Sequence, residues 1–427
     1  MKKALKKLWK NEFVRGGTIF TAASFLVSII NYLFNLLAAR GLGPVGFSEI
    51  TALSSYLSIS GVPTLVITLI IVQKIGSKGE LSKSFALSLQ EWFSTTLTKW
   101  WFLAIPILSL SFFIPQITNL SPIVGYFLIP LMILSFVGAF YGAVFQGLKY
   151  FTWFSIISVS AILLKLLGPI LLLLRIDGLM TIMMFLLASS LLGLFLSHIV
   201  IKKNVMVKKT HMIGKINKRF VDILFNKQVI ITFLSILALT SFNNIDVVFV
   251  KKFFNSSDAG IYGAWSLFSK MIFYLIGPVI AVSFVFFSHK KKGRDHERVL
   301  FWSLIILSLI AILSFISYKY FSSLVIRIFF GSKFLRVAPH LAAASIFGSL
   351  YTTITFINNY FLAKKSLLSL TLMILIPVYF ILLFSMPRTL NSIIALNIYF
   401  SFFVTVIYLI ACSRWVFYNM TDEKKKR

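Results

Sequence analysis

Long apolar runs dominate this chain, and the polar residues inside them recur every three or four positions, which predicts helices. Twelve runs stand out, at 14–38, 45–72, 98–118, 122–146, 153–174, 178–201, 229–250, 261–288, 299–319, 334–361, 367–387 and 390–413. A bilayer is crossed by about 20 helical residues. A helix is also the form in which an isolated segment satisfies its own backbone in hydrocarbon. The expected fold is an all-α integral membrane protein of about 12 transmembrane helices in two pseudo-symmetric six-helix lobes. The lobes are 1–201 and 229–427, the second ending in a cytoplasmic tail, and a basic cytoplasmic linker, 202–228, joins them.

An internal echo supports the division. ARGLGPVGFSE at 39–49 and VKKFFNSSDAGIY at 250–262 each sit between two apolar runs, with Gly46 and Gly260 214 positions apart in a chain of 427. FQGLKYF at 145–151 and FLAKKSL at 361–367 repeat the relation. Duplicated halves are a common plan for transporters.

Composition closes off other classes. Hydrophobic residues make up 58% of the chain, charged residues 13%, and the mean hydropathy is +0.91, which leaves too few charges for the shell of a soluble protein. Lys and Arg fall unevenly between alternate loops, 31 on the side of the N-terminus and 9 on the other, so both termini are expected in the cytoplasm. The net charge of +30 follows from that topology and from contact with anionic lipid headgroups. No nucleic-acid-binding signature accompanies it. The basic start, KKALKKLWK, fits either an interfacial helix or a plain positive flank. No cleavable signal peptide is expected. One cysteine, Cys412, and five scattered histidines give no basis for a disulfide, a metal site or a cofactor.

The chemistry lies in polar stripes. Thr21, Ser24, Ser28, Asn31 and Asn35 are spaced 3, 4, 3 and 4, which puts them on one helical face. Thr232, Ser235, Asn243 and Asp246 form a similar face in the seventh run. Interhelical hydrogen bonding accounts for the Ser and Thr residues. Asparagine and aspartate are costly in hydrocarbon, so Asn31, Asn35 and Asp246 point to a cavity wall. Lys165 lies mid-depth in the fifth run on a face with Ser155, Ser158 and Pro169, and the proline predicts a kink. Lys270 follows Ser266 by one turn in the eighth run. A buried cation calls for an anionic partner, either Asp246 or a substrate, and for both lysines a pathway role and a structural one stay open. Asp246 is the one acid well inside a run, and this balance favours an anionic cargo. GAFYG at 138–142, followed by Ala143 and Gly147, is a small-residue pattern for close helix packing.

Two segments carry a family resemblance. RGGTIFTAASFLVSIINYLFNLLAARGLGPVGFSEI at the start resembles the opening of polysaccharide flippases of the multidrug/oligosaccharidyl-lipid/polysaccharide exporter superfamily. NNIDVVFVKKFFNSSDAGIYGAWSLFSKM at 243–271 is similar to that family's mid-chain signature, an Asp ahead of a Gly-x-Tyr segment. The resemblance implies a central cavity lined by the first two helices of each lobe, which here carry Asn31, Asn35, Arg40, Asp246 and Lys270. Lys165, on the fifth helix, stands outside that set. The implied activity is the movement of a lipid-linked oligosaccharide, carried on undecaprenyl pyrophosphate, from the inner to the outer leaflet of a bacterial or archaeal cytoplasmic membrane. O-antigen or exopolysaccharide synthesis would use it, with a polysaccharide polymerase, glycosyltransferases and membrane lipids as partners and without catalysis by this chain. The alternatives are a cation-coupled drug exporter of the same superfamily and a membrane glycan polymerase or ligase. The scarcity of buried acids counts against the first. Against the second counts an outer loop at 320–333 that is short and has neither acid nor histidine.

Overall fold

The computed structural model describes residues 12–174, 178–204, 226–288 and 295–425. The basic start and most of the linker 202–228 lie outside the described residues. Every element among those described is a helix. In order they are α1 (Glu12–Ser60), α2 (Val62–Gly76), α3 (Ser82–Lys99), α4 (Ala104–Ser109), α5 (Ile114–Thr118), α6 (Pro122–Gly147), α7 (Phe151–Leu173) and α8 (Leu179–Asn204). There follow α9 (Lys227–Phe242), α10 (Ile245–Phe253), α11 (Ser256–Ser288), α12 (Asp295–Tyr320), α13 (Ser322–Phe329), α14 (Leu341–Ala363), α15 (Thr371–Ser385) and α16 (Leu390–Lys425).

Nine helices among the described residues are long and apolar enough to cross a membrane, ten when the bent pair α9 and α10 counts as one. The count reaches twelve through two further features. The apolar part of α1 runs for 43 residues, about twice a bilayer at about 1.5 Å per residue, and its backbone is non-helical at Gly43 (φ 66°, ψ −175°) just before Pro44. The third run, 98–118, consists of the end of α3, then α4, α5 and two 3-10 turns, broken around Pro106 and Pro115, which cannot continue a helical hydrogen-bond ladder. The helix α3 begins at Ser82, ahead of the run's expected start at residue 98. The reason is packing: Ala86, Leu89 and Phe93 of α3 are buried with Ile71, Ile75 and Phe140, and the Phe93 and Phe140 rings stack at 3.8 Å.

The chain divides into two compact units, Met1–Leu42 with Tyr56–Val229, and Gly43–Ser55 with Ile230–Arg427. The segment 43–55 therefore packs with the second unit although the chain on both sides of it belongs to the first. In the first unit the small-residue pattern of α6 permits close contacts. A Cβ on Gly147 would lie 2.7 Å from Ile75 Cβ, and one on Gly142 3.1 Å from the Phe154 ring. In the second unit α11 and α14 approach backbone to side-chain-free backbone, since a Cβ on Gly348 would stand 2.3 Å from the Ser269 carbonyl oxygen. Gly348→Ala is thus expected to cost about 1–3 kcal/mol, the range for overpacked cores. Gly277→Ala, which meets nothing within 4 Å, is the control. Thermal unfolding of the detergent-solubilised protein should show a lowered midpoint for the first variant alone.

Candidate functional site

In the first unit the stripe on α1 is solvent- or lipid-accessible. Thr21, Ser24, Ser28 and Asn31 are exposed, and Asn35 is half-buried. Two of the side chains bond within the helix: Ser28 Oγ donates to the Ser24 carbonyl at 2.9 Å and Asn35 Nδ2 to the Asn31 carbonyl at 2.9 Å. That leaves the Asn31 side chain for a longer-range bond. Lys165 Nζ, from α7, donates to Asn31 Oδ1 at 2.6 Å and stands 4.2 Å from the centre of the Phe34 ring. Asn31 and Phe34 are one turn apart on α1, so one helix face supplies an amide dipole and a ring face to the same cation. No charged group among the described residues acts on Lys165. Arg40, the last cation of α1 before the break, is exposed in the same unit. An apolar cavity of about 530 Å³ beside Ile105, Leu108, Phe112, Tyr126 and Pro130 contains none of these residues.

The seventh crossing departs from the expected continuous helix. It bends by 42° between α9 and α10, where Asn243 and Asn244 form a turn. Adjacent asparagines favour this because their side chains compete for backbone partners. Asn244 Nδ2 donates to the Thr240 carbonyl at 2.8 Å, which serves one of the groups the break releases, and its Oδ1 accepts from Lys270 Nζ of α11 at 2.9 Å. The stripe expected on one face is consequently divided. Ser235 is buried and accepts from Asn358 Nδ2 at 2.7 Å, which leaves it a packing contact.

Asp246 sits in the first turn of α10, where the helix dipole favours a carboxylate, and is fully buried. Tyr262 Oη donates to its Oδ2 at 2.5 Å and Asn397 Nδ2 at 3.1 Å, while Tyr379 Oη donates to Asn397 Oδ1 at 2.5 Å. Lys270 is near enough for its charge to act on Asp246. So in the second unit Lys270 bonds Asn244, two residues before Asp246, while in the first Lys165 bonds Asn31. The Asp and the Tyr of the mid-chain signature are hydrogen-bonded to each other. Asn397, Tyr379 and Asn358 did not enter the sequence reading. For Asn397 and Tyr379 the signal is a single amide or phenol among apolar neighbours; Asn358 is one of an adjacent pair with Asn359.

A third polar contact concerns two residues placed at span ends or loops from sequence. Lys251, in α10, is 2% exposed and donates to Glu49 Oε1 at 2.6 Å and to Ser48 Oγ at 3.1 Å. Both partners belong to the segment 43–55 of the same unit. Arg336 pairs with Asp258 at 2.9 Å nearer the surface. No group of three or more His, Cys, Asp or Glu side chains that could hold a metal ion occurs among the described residues.

The two-unit, all-helical architecture is similar to that of solved transporters, one of them a member of the multidrug/oligosaccharidyl-lipid/polysaccharide exporter superfamily. Three solved structures carry the comparison. An inward-facing multidrug resistance MATE transporter of that superfamily aligns with a TM-score of 0.65 at 13% identity, over 93% of this chain and 96% of that one. The lipid II flippase MurJ in an inward closed conformation aligns at 0.67 and 17% identity, over 93% and 87%. The eukaryotic MATE transporter AtDTX14 aligns at 0.59 and 12% identity, over 94% and 96%. No protein-family model and no curated protein matches the sequence. The likeness is one of fold, shared by drug exporters and a lipid flippase alike.

Proposed function

We propose that this chain is a flippase for lipid-linked oligosaccharide, taking a polyprenyl-diphosphate sugar from the inner to the outer leaflet of a prokaryotic cytoplasmic membrane, with both termini inside. The observation that carries the reading is Lys165, a half-buried cation in a membrane-spanning helix whose partners are the neutral Asn31 amide and the Phe34 ring. An intramembrane cation without a counter-charge is costly unless a ligand supplies one. A diphosphate does so with oxygens that accept charge-assisted hydrogen bonds. The exposed Ser and Asn residues of α1 offer sugar hydroxyls the hydrogen bonds they lose on leaving water. The chain itself makes and breaks no bond; glycosyltransferases would supply the cargo and a polymerase would consume it, for an O-antigen or exopolysaccharide.

The nearest competitor is a cation-coupled drug exporter, and Asp246 is the feature in its favour. That carboxylate already accepts from Tyr262 and Asn397 and has Lys270 as its counter-charge. Purified protein in vesicles separates the two readings. A fluorescent polyprenyl-diphosphate oligosaccharide should become fully accessible to an impermeant quencher, whereas protein-free vesicles expose only the outer-leaflet fraction. The same lipid without phosphate should move far more slowly. Transport of a lipophilic cation, with none of the diphosphate lipid, would overturn the proposal.

A further inference from the structure

The two copies of the repeated junction touch each other. Segment 43–55 of α1 lies against α10 and α11 within the second unit, and its hold there has three parts. Gly260 admits the backbone of Pro44 so closely that a Cβ would stand 1.8 Å from the Pro44 carbonyl oxygen, and Gly263, on the same face of α11, admits Thr51. Phe47 packs edge-on against Phe330 and Phe334, each ring centre 5.7 Å away. Glu49 and Lys251 form the buried ion pair at 2.6 Å. A non-helical Gly43 bounds the segment at one end and the turn at Gly61, between α1 and α2, lies beyond its other end.

We infer that this segment is a detachable gate element and that the Glu49–Lys251 pair is its latch, opened once in every transport cycle. A permanent interface is better built from apolar side chains, because a buried ion pair recovers little more than the hydration it gives up. The same balance makes an ion pair suited to reversible docking: each charge regains water on release, so docked and undocked states stay close in free energy. The glycine face adds a contact without interlocked side chains, which separates without rotamer rearrangement. The chain on either side belongs to the first unit, so release of 43–55 from α10 and α11 frees the second unit from a segment covalently held at both ends by the first.

The test uses one introduced cysteine. With Cys412 replaced by Ser, Thr51→Cys reports on the docked face, because Thr51 is covered by Gly263. In lipid nanodiscs the labelling rate with a hydrophilic maleimide should be slow in the parent and about tenfold faster in Glu49→Gln and in Lys251→Met, as expected for a shifted two-state population. The exchanged pair, Glu49→Lys with Lys251→Glu, should label slowly again. Ser48→Ala, which removes the 3.1 Å contact with Lys251 together with a local bond to the Val45 carbonyl and leaves both charges in place, guards against misfolding of the stronger variants and should accelerate labelling by a smaller factor. Unchanged labelling in folded Glu49→Gln and Ser48→Ala protein overturns the latch. This readout does not depend on the cargo. Loss of transport in the single variants and its return in the exchanged pair would tie the latch to turnover, whatever substrate the vesicles identify.

Discussion

Lys165→Met is expected to slow flipping of a diphosphate-linked sugar by 10- to 100-fold, on the order of the about 1.5–3 kcal/mol carried by a hydrogen bond to a charged group. Methionine keeps the apolar stem and fills similar volume, so membrane insertion and the folded yield should not change. The charge matters because nothing else among the described residues neutralises it: Asn31 Oδ1 fixes the ammonium at 2.6 Å and Phe34 faces it at 4.2 Å, and both are neutral. Asn31→Ala should therefore have the smaller effect, leaving the cation present but less well oriented. Lys165→Arg should recover only part of the rate, since a planar guanidinium does not reproduce a point charge held by one amide oxygen. The measurement is the initial rate of quencher access in reconstituted vesicles. Wild-type flipping by the Met variant would remove Lys165 from the pathway and with it the argument for an anionic cargo.

Periodicity and charge made much of the architecture legible. The 3.6-residue period of the stripe on α1 survives in the structure because nothing in that run breaks the helix, and the amide at Asn31 is where a partner was needed. Pattern alone misread the seventh run, where Asn243 and Asn244 fit the helical face but also terminate it. The burial of α3 was hidden for a different reason. Residues 82–99 are too polar to look like a span, yet Leu89 and Phe93 are buried because α6 covers them, a tertiary fact with no local signature. Lys251 was assigned to an outer loop because a cation beside a second cation, Lys252, resembles a flank. Its burial depends on Glu49, about two hundred positions earlier, and such a pairing cannot be read from either segment separately. The repeat itself was visible, but sequence similarity between two junctions carries no information that one packs on the other.

The two units also treat charge differently, and Asp246→Leu should expose that difference. Removal of the carboxylate leaves the Tyr262 hydroxyl without its acceptor and Lys270 without the nearby negative charge, while Asn397 Nδ2 keeps its bond to Tyr262 Oη at 2.6 Å. The expected loss of stability is about 3 kcal/mol, the low end for breaking a buried pair because Lys270 is itself only half-buried. The informative variant is the double one. Asp246→Leu with Lys270→Met no longer carries a stranded cation, so its stability should exceed the sum of the two single effects by at least about 1 kcal/mol, well outside the about 0.5 kcal/mol seen for independent sites. It should not return to wild type, because the Tyr262 hydroxyl stays unmatched and α10 loses the carboxylate at its first turn. Denaturant titration in mixed micelles, followed by circular dichroism, supplies the four free energies of the cycle. Additive effects would mean that Lys270 and Asp246 do not compensate each other. In that event Lys270 would join Lys165 as a cation awaiting an anion, and the cargo-binding charge would be shared by both units.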